Sequence, residues 1–207
     1  MFYFDNLVCR EDFLCEVAGL SPHVRAAFAF PSLHQLGIVV PDVEQPAARL
    51  ETEGFRPFFI ARGAPVFWHE NEQAFRVSGK MGLAYCRGIE IELLEPLEGS
   101  AFYHDGLDPY GRPVVRHLGF LVDDVDVWAG RLRSAGTGVW VRGRLKTGAM
   151  KTDFVYMDPI EKDGLIMEFI AWKLFGRPMK PGTRYRSHHR KVSEMDREAV
   201  SFPVTRF

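Results

Sequence analysis

Four apolar runs in this chain carry side chains that can bind a cation or move a proton. They are LHQLGIVV with His34 and Gln35, GIEIELLEP with Glu90 and Glu92, RHLGFLV with Arg116 and His117, and GLIMEFIAW with Glu168. If each run is a strand, successive side chains alternate between two faces. Leu36, Ile38 and Val40 then share a face, as do Leu118, Phe120 and Val122, with Gln35 and His117 opposite them. His34 falls on the core side with Arg116 as its counterpart, so alternation favours Gln35 over His34 as the functional residue of its run. By the same rule Ile89, Ile91 and Leu93 oppose Glu90 and Glu92, and Leu165, Met167 and Phe169 oppose Glu168.

Polar groups on the inner face of a sheet are costly unless they are paired or bound to metal. One shared divalent cation accounts for Gln35, Glu92, His117 and Glu168 together. An imidazole, two carboxylates and an amide oxygen suit zinc first, with Ni, Co, Mn and Fe as further ions such donors hold. An ion of this kind polarises a carbonyl oxygen and stabilises the enediolate left when the adjacent carbon loses a proton. Glu168 or Glu92 would take that proton, with Glu168 preferred, and Glu90 would stand behind Glu92 as a partner or an alternative acid.

The elements that must position these residues are visible as an internal repeat. Laying residues 35–54 on 117–136 without a gap gives nine identities in twenty positions, among them Leu36 with Leu118, Gly37 with Gly119, Asp42 with Asp124 and Gly54 with Gly136. Each copy reads as a strand, an Asp helix cap, a helix and a Gly stop, with the first helix expected from about Val43 to Glu53 and Pro46 in its opening turn. Three strand-like runs follow each helix: FRPFFIA, QAFRVSGKMGLAY and GIEIELLEP in the first copy, GVWVRGRL, TDFVYMD and GLIMEFIAW in the second. The expected fold is α+β, two tandem βαβββ modules forming a curved mixed sheet around a central metal and substrate cavity. The organisation is an N-terminal extension (1–32), a first module (33–96), a linker (97–113), a second module (114–172) and a basic tail (173–207) with His188 and His189.

With 46% hydrophobic residues in 207, the chain can bury a sizeable core. Twenty-six basic against 27 acidic residues give a formal charge of −1, so neither nucleic acid nor an anionic membrane is expected as partner. Three cysteines, Cys9, Cys15 and Cys86, form neither a disulfide framework nor a zinc-knuckle spacing and fit a reducing, cytoplasmic setting. No segment reads as a secretory signal or a membrane span.

Outside the main set, Arg76, Lys80 and Arg116 are candidates for an anionic substrate group such as a carboxylate or a coenzyme A phosphate. Tyr156, with Trp68, Phe75 and Met157, is a candidate cavity wall whose alternative is ordinary core. His69, Glu70 and Glu72 carry metal-like residue types but are expected in a loop or pocket rim between strands. No glycine-rich phosphate loop, serine elbow or zinc-protease spacing competes with this reading.

On LHQLGIVVPDVEQ, GIEIELLEP, RHLGFLVDDVD and FVYMDPIEKDGLIMEFI, over roughly residues 33 to 172, the chain resembles the vicinal oxygen chelate superfamily, which includes glyoxalase I and methylmalonyl-CoA epimerase. The resemblance implies paired βαβββ modules around one divalent ion, with ligands on Gln35, Glu92, His117 and Glu168 and His34 as the alternate. It implies a metal-dependent isomerase, epimerase or glyoxalase-type lyase that removes a proton next to a metal-bound carbonyl of a small carbonyl or thioester substrate. Two other readings belong to the same scaffold: an Fe(II) ring-cleaving dioxygenase using His34, His117 and Glu168, and an antibiotic-sequestering binder without metal. Some relatives pair their modules across a dimer, and a homodimer is possible here.

Overall fold

The computed structural model describes residues 2–8, 19, 31, 33–86, 88–99, 101–159, 165–179 and 200–201. Cys9, Cys15 and the tail histidines His188 and His189 lie outside the described residues. A short lead-in of β1 (Phe2–Tyr3) and α1 (Asp5–Val8) precedes the first unit. That unit runs β2 (Leu33–Val39), α2 (Glu44–Thr52), β3 (Phe59–Gly63), β4 (Phe67–Glu70), β5 (Gln73–Ala74), β6 (Ser78–Cys86) and β7 (Ile89–Glu98). After α3 (Ala101–His104), the second unit runs β8 (Val114–Leu121), α4 (Val125–Ser134), β9 (Val139–Thr147), β10 (Met150–Met157) and β11 (Ile166–Leu174). Two short strands, β12 (Arg177–Met179) and β13 (Val200–Ser201), complete the set.

The strands form one mixed sheet in the order β13-β3-β6-β7-β2-β8-β11-β10-β9-β4-β5. β2 and β8 meet antiparallel at its centre, each flanked by the parallel closing strand of its own unit, β7 or β11. The first unit is thus βαβββ with an extra hairpin, β4 and β5, inserted where the sequence shows a loop. His69 and Glu70 lie on β4, and the hairpin pairs with β9 of the other unit. β3 and β4 sit near opposite ends of the sheet, yet only Ala64, Pro65 and Val66 separate them in sequence. Four Cα steps reach at most about 14 Å, so the sheet has to curl until its ends approach, and a cavity is left inside.

Both helices pack on the outer face. Leu50 and Val43 on one side and Leu132 and Val125 on the other are buried with Leu36, Ile38, Leu118, Phe120, Ile91 and Phe169 in one core. The expected boundary chemistry is present in both copies. Asp124 Oδ1 accepts from the backbone N–H groups of Asp126 and Val127, and Asp42 Oδ1 accepts from that of Gln45. Gly54 and Gly136 end their helices at φ of 94° and 91°, where a side chain would be strained.

Alternation holds along β7 and β11, but β2 and β8 each depart from it by one residue. The register slips between Leu33 and Gln35 on β2 and between His117 and Val115 on β8, where two residues face one. These bulges correct the expected faces of His34 and Arg116. Leu33 and Val115 pack with the core, while His34 turns toward Tyr85 and Trp172 and Arg116 toward Phe102 and Trp140. The two bulges occupy equivalent positions, so the duplication extends to the irregularities of the strands.

Candidate metal centre

Gln35 on β2, Glu92 on β7, His117 on β8 and Glu168 on β11 come together on the concave face, all buried. Three oxygens converge on one ring nitrogen. From His117 Nε2 it is 3.1 Å to Glu168 Oε2, 3.3 Å to Glu92 Oε2 and 3.3 Å to Gln35 Oε1. Ligand atoms of Glu92, His117 and Glu168 all lie within 4.8 Å of one another.

Two glycines of the repeat make this convergence possible. A Cβ on Gly37 would stand 1.8 Å from the His117 ring, and one on Gly119 would stand 2.8 Å from the Gln35 side chain. Because β2 and β8 pair about a point between Leu36 and Leu118, each unit's glycine clears the space that the other unit's functional residue fills. The identity of Gly37 with Gly119 in sequence has this close approach as its physical reason.

The electrostatics suit a cation. Burial lowers the proton affinity of His117, and the Glu168 and Glu92 carboxylates more than reverse this, pushing it up to about 9. Glu168 is raised by burial and by Glu92 despite the attraction of His117. A single ring N–H cannot serve three acceptors, and Glu168 Oε2 is buried without a hydrogen-bond donor among the described residues. A divalent ion fits this donor set, since it would satisfy the orphaned oxygen and offset the two carboxylates.

Behind the cluster, Gln35 Nε2 donates to Glu90 Oε1 at 2.9 Å, which turns the amide oxygen toward His117. Glu90 is pushed up to about 7, first by burial and then by Glu92, against the effect of the Tyr85 hydroxyl and Gln35. On the other side, Tyr156 packs edge-on to His117 with centroids 5.2 Å apart, and its hydroxyl lies 2.6 Å from that of Tyr103. Both phenols are held well above their ordinary range, chiefly by burial, so they remain hydrogen-bond donors. Tyr156 stands opposite Glu168 in the register of β10 and β11.

Tyr103 had no signal in the sequence. It lies on α3 in the stretch between the two units, outside both the repeat and the strand pattern.

The other candidates are placed differently. His34 is buried against Trp172 with Nε2 3.9 Å from Glu90 Oε1, and it is not part of the His117 cluster. Lys80 lines the cavity, but its ammonium lies 2.9 Å from Glu44 and 3.2 Å from Glu95. The guanidinium of Arg116 stacks near Phe102 and Trp140, and Arg76 is exposed. Trp68 and Tyr156 do line the cavity, Met157 belongs to the main core, and Phe75 is exposed. Among the described residues no helix is long and apolar enough to cross a membrane.

Paired βαβββ units around a buried carboxylate and imidazole cluster at a central cavity define the class of fold. The family model of the Glyoxalase/Bleomycin resistance protein/Dioxygenase superfamily matches residues 34–156, and the chain belongs to that superfamily. Among solved structures, methylmalonyl-CoA epimerase from Mycobacterium tuberculosis is 23% identical with a TM-score of 0.45, covering 67% of this chain and 85% of that one. A methylmalonyl-CoA epimerase in complex with methylmalonyl-CoA and NH4+ is 22% identical with a TM-score of 0.45, covering 68% and 94%. A mutant 4-hydroxymandelate synthase from Streptomyces coelicolor is 16% identical with a TM-score of 0.48, covering 80% and 54%. No curated protein sequence matches the chain.

Proposed function

We propose that this protein is a divalent-metal-dependent enzyme that removes a proton from the carbon next to a carbonyl, an isomerase, epimerase or glyoxalase-type lyase acting on a small carbonyl or thioester compound. The observation that carries the reading is the convergence of Gln35, Glu92 and Glu168 oxygens on Nε2 of His117 at the wall of a cavity. Gln35, Glu92, His117 and Glu168 would hold a divalent ion, which when bound would supply Lewis acidity to the carbonyl oxygen and to the negative charge developing there.

The chain's own groups do the rest. Glu168 faces the cavity, and burial raises its affinity for a proton, which strengthens it as a general base. Tyr156 stands opposite Glu168 in the strand register and its hydroxyl is bonded to that of Tyr103, so a fixed phenol pair flanks the carboxylate as it takes the proton. Glu90 fixes the Gln35 amide so that its oxygen, and not its nitrogen, is presented. The aromatic wall of Trp68, Phe154 and Tyr156 keeps water from the reacting carbon.

The dioxygenase reading needs His34 beside His117 and Glu168, and the bulge at His34 directs that ring to Glu90 and Trp172 instead. Elemental analysis of purified native protein and of the His34→Ala and His117→Ala variants tests the metal set. The expected result is about one divalent ion per chain in the native and His34→Ala proteins, with loss in His117→Ala. Solvent deuterium exchange into a panel of 2-substituted carbonyl compounds and thioesters tests the chemistry. Exchange that is abolished in Glu168→Gln supports the reading; no ion in the native protein and exchange indifferent to Glu168 would overturn it in favour of a binder.

A further inference from the structure

The cavity that opens from the His117 cluster has a volume of about 400 Å³, the size that takes a drug-like ligand. Its walls away from the cluster are largely hydrocarbon. Phe59, Met81, Leu83 and Leu94 come from the first unit, and Leu145, Phe154, Ile170 and Trp172 from the second. Its charges point the other way from what a phosphate needs. Among the described lining residues the cations are Lys80 and Lys146. The ammonium of Lys80 is taken up by Glu44 and Glu95, and Lys146 is exposed at the end of β9. The carboxylates of Glu90, Glu92, Glu95, Glu98 and Glu168 line the same space. Arg116, half-buried beside His117, directs its guanidinium toward Phe102 and Trp140 and does not line the cavity.

From this we infer that the substrate is a phosphate-free carbonyl compound with a hydrocarbon body, its oxygen-bearing end at the Glu92, His117 and Glu168 cluster and its alkyl or aryl body between Leu83, Phe154 and Trp172. The inference rests on the metal-dependent reading for the oxygen-bearing end and on the wall composition for the body. It separates this site from one built for a nucleotide thioester, because five carboxylates against Lys80 and Lys146 around the same space disfavour several phosphates. Burying a hydrocarbon chain in such a cavity is worth about 0.8 kcal/mol per methylene, or about threefold to fourfold in affinity.

The experiment uses the full chain loaded with Zn2+ and calorimetric titration with acetohydroxamate, butyrohydroxamate, hexanohydroxamate and octanohydroxamate. These share one paired-oxygen head and differ only in hydrocarbon length. The dissociation constant is expected to fall about threefold to fourfold with each added methylene, and coenzyme A is expected not to displace octanohydroxamate. Equal affinity along the series, or displacement of octanohydroxamate by coenzyme A at comparable concentrations, overturns the inference. n-Butanol, n-hexanol and n-octanol, which carry no paired-oxygen head, are titrated in parallel. A chain-length dependence in the alcohols with no gain from the hydroxamate head would keep the hydrocarbon site and overturn the metal-dependent reading instead.

Discussion

The two units use the same positions for different residues. Gln35 and His117 stand at equivalent points of β2 and β8, each over the other's glycine, and Glu92 and Glu168 pair alike with Gly37 and Gly119. One step away the copies diverge. The partner of Gln35 on β7 is Glu90, whereas the partner of His117 on β11 is Ile166. The amide therefore has an acceptor to orient it, and the imidazole, whose Nδ1 finds no hydrogen-bond partner among the described residues, is flanked by hydrocarbon. Further along the strands the signs invert. Lys80 of β6 is held by two carboxylates, Glu44 and Glu95, while Asp153 at the equivalent point of β10 is held by two cations, Arg144 and Lys173. Duplication supplied the geometry, and divergence at a few positions made the site asymmetric.

If the second unit carries the base, Glu168→Gln should lower kcat/KM for deuterium exchange by about 10²- to 10⁴-fold with the ion retained, whereas Glu92→Gln should act mainly by weakening ion binding. Equal effects on turnover at saturating metal would break the asymmetry. The two glycines sharpen it next. Gly37→Ala drives a Cβ into the rigid His117 ring and should abolish ion binding. Gly119→Ala meets the Cβ and amide oxygen of Gln35 at 2.8 Å, a smaller overlap than the 1.8 Å at Gly37, and should weaken binding without abolishing it, both read by elemental analysis.

Removing the support found only in the first unit, by Glu90→Gln, should weaken ion affinity by about 10- to 100-fold. The pH dependence has a fixed sign. The metal-free protein holds a proton on His117 up to about 9, and an ion must displace it, so apparent affinity should rise about tenfold per pH unit through neutrality and level off above pH 9. Competition titrations between pH 6 and 10 measure the slope. The smallest effect lies on the outer face. Asp153, a buried carboxylate, is held below its usual range because Arg144 and Lys173 outweigh the cost of burial. It therefore contributes stability above the unfolded value of about 3.9 that is lost as pH falls through the lower folded value. Asp153→Asn should cost about 1–2 kcal/mol in urea unfolding at neutral pH, and the difference from native should shrink on acidification.

Much of this was legible in the chain before folding. The nine identities between 35–54 and 117–136 announce the duplication, and period-two alternation in IEIELL and LIMEFI places Glu92 and Glu168 opposite the core. Where alternation alone was used on SLHQLG and VVRHLG it misplaced His34 and Arg116. A bulge inserts a residue without a distinctive composition, and it is specified by the partner strand. The hairpin Phe67–Ala74 read as a loop for a related reason: its strand β4 exists by pairing with β9, some seventy residues away.

The sequence by itself determined the two βαβββ units, their helix boundaries and the four residue types of the site, because each depends on local periodicity, capping and turn chemistry. Only the tertiary structure decided that Gly37 and Gly119 clear room across the central strand pair, that Tyr103 joins the site from between the units, that Lys80 is taken up by Glu44 and Glu95, and that the cavity wall is largely hydrocarbon. These depend on contacts between segments distant in sequence, which no local pattern records.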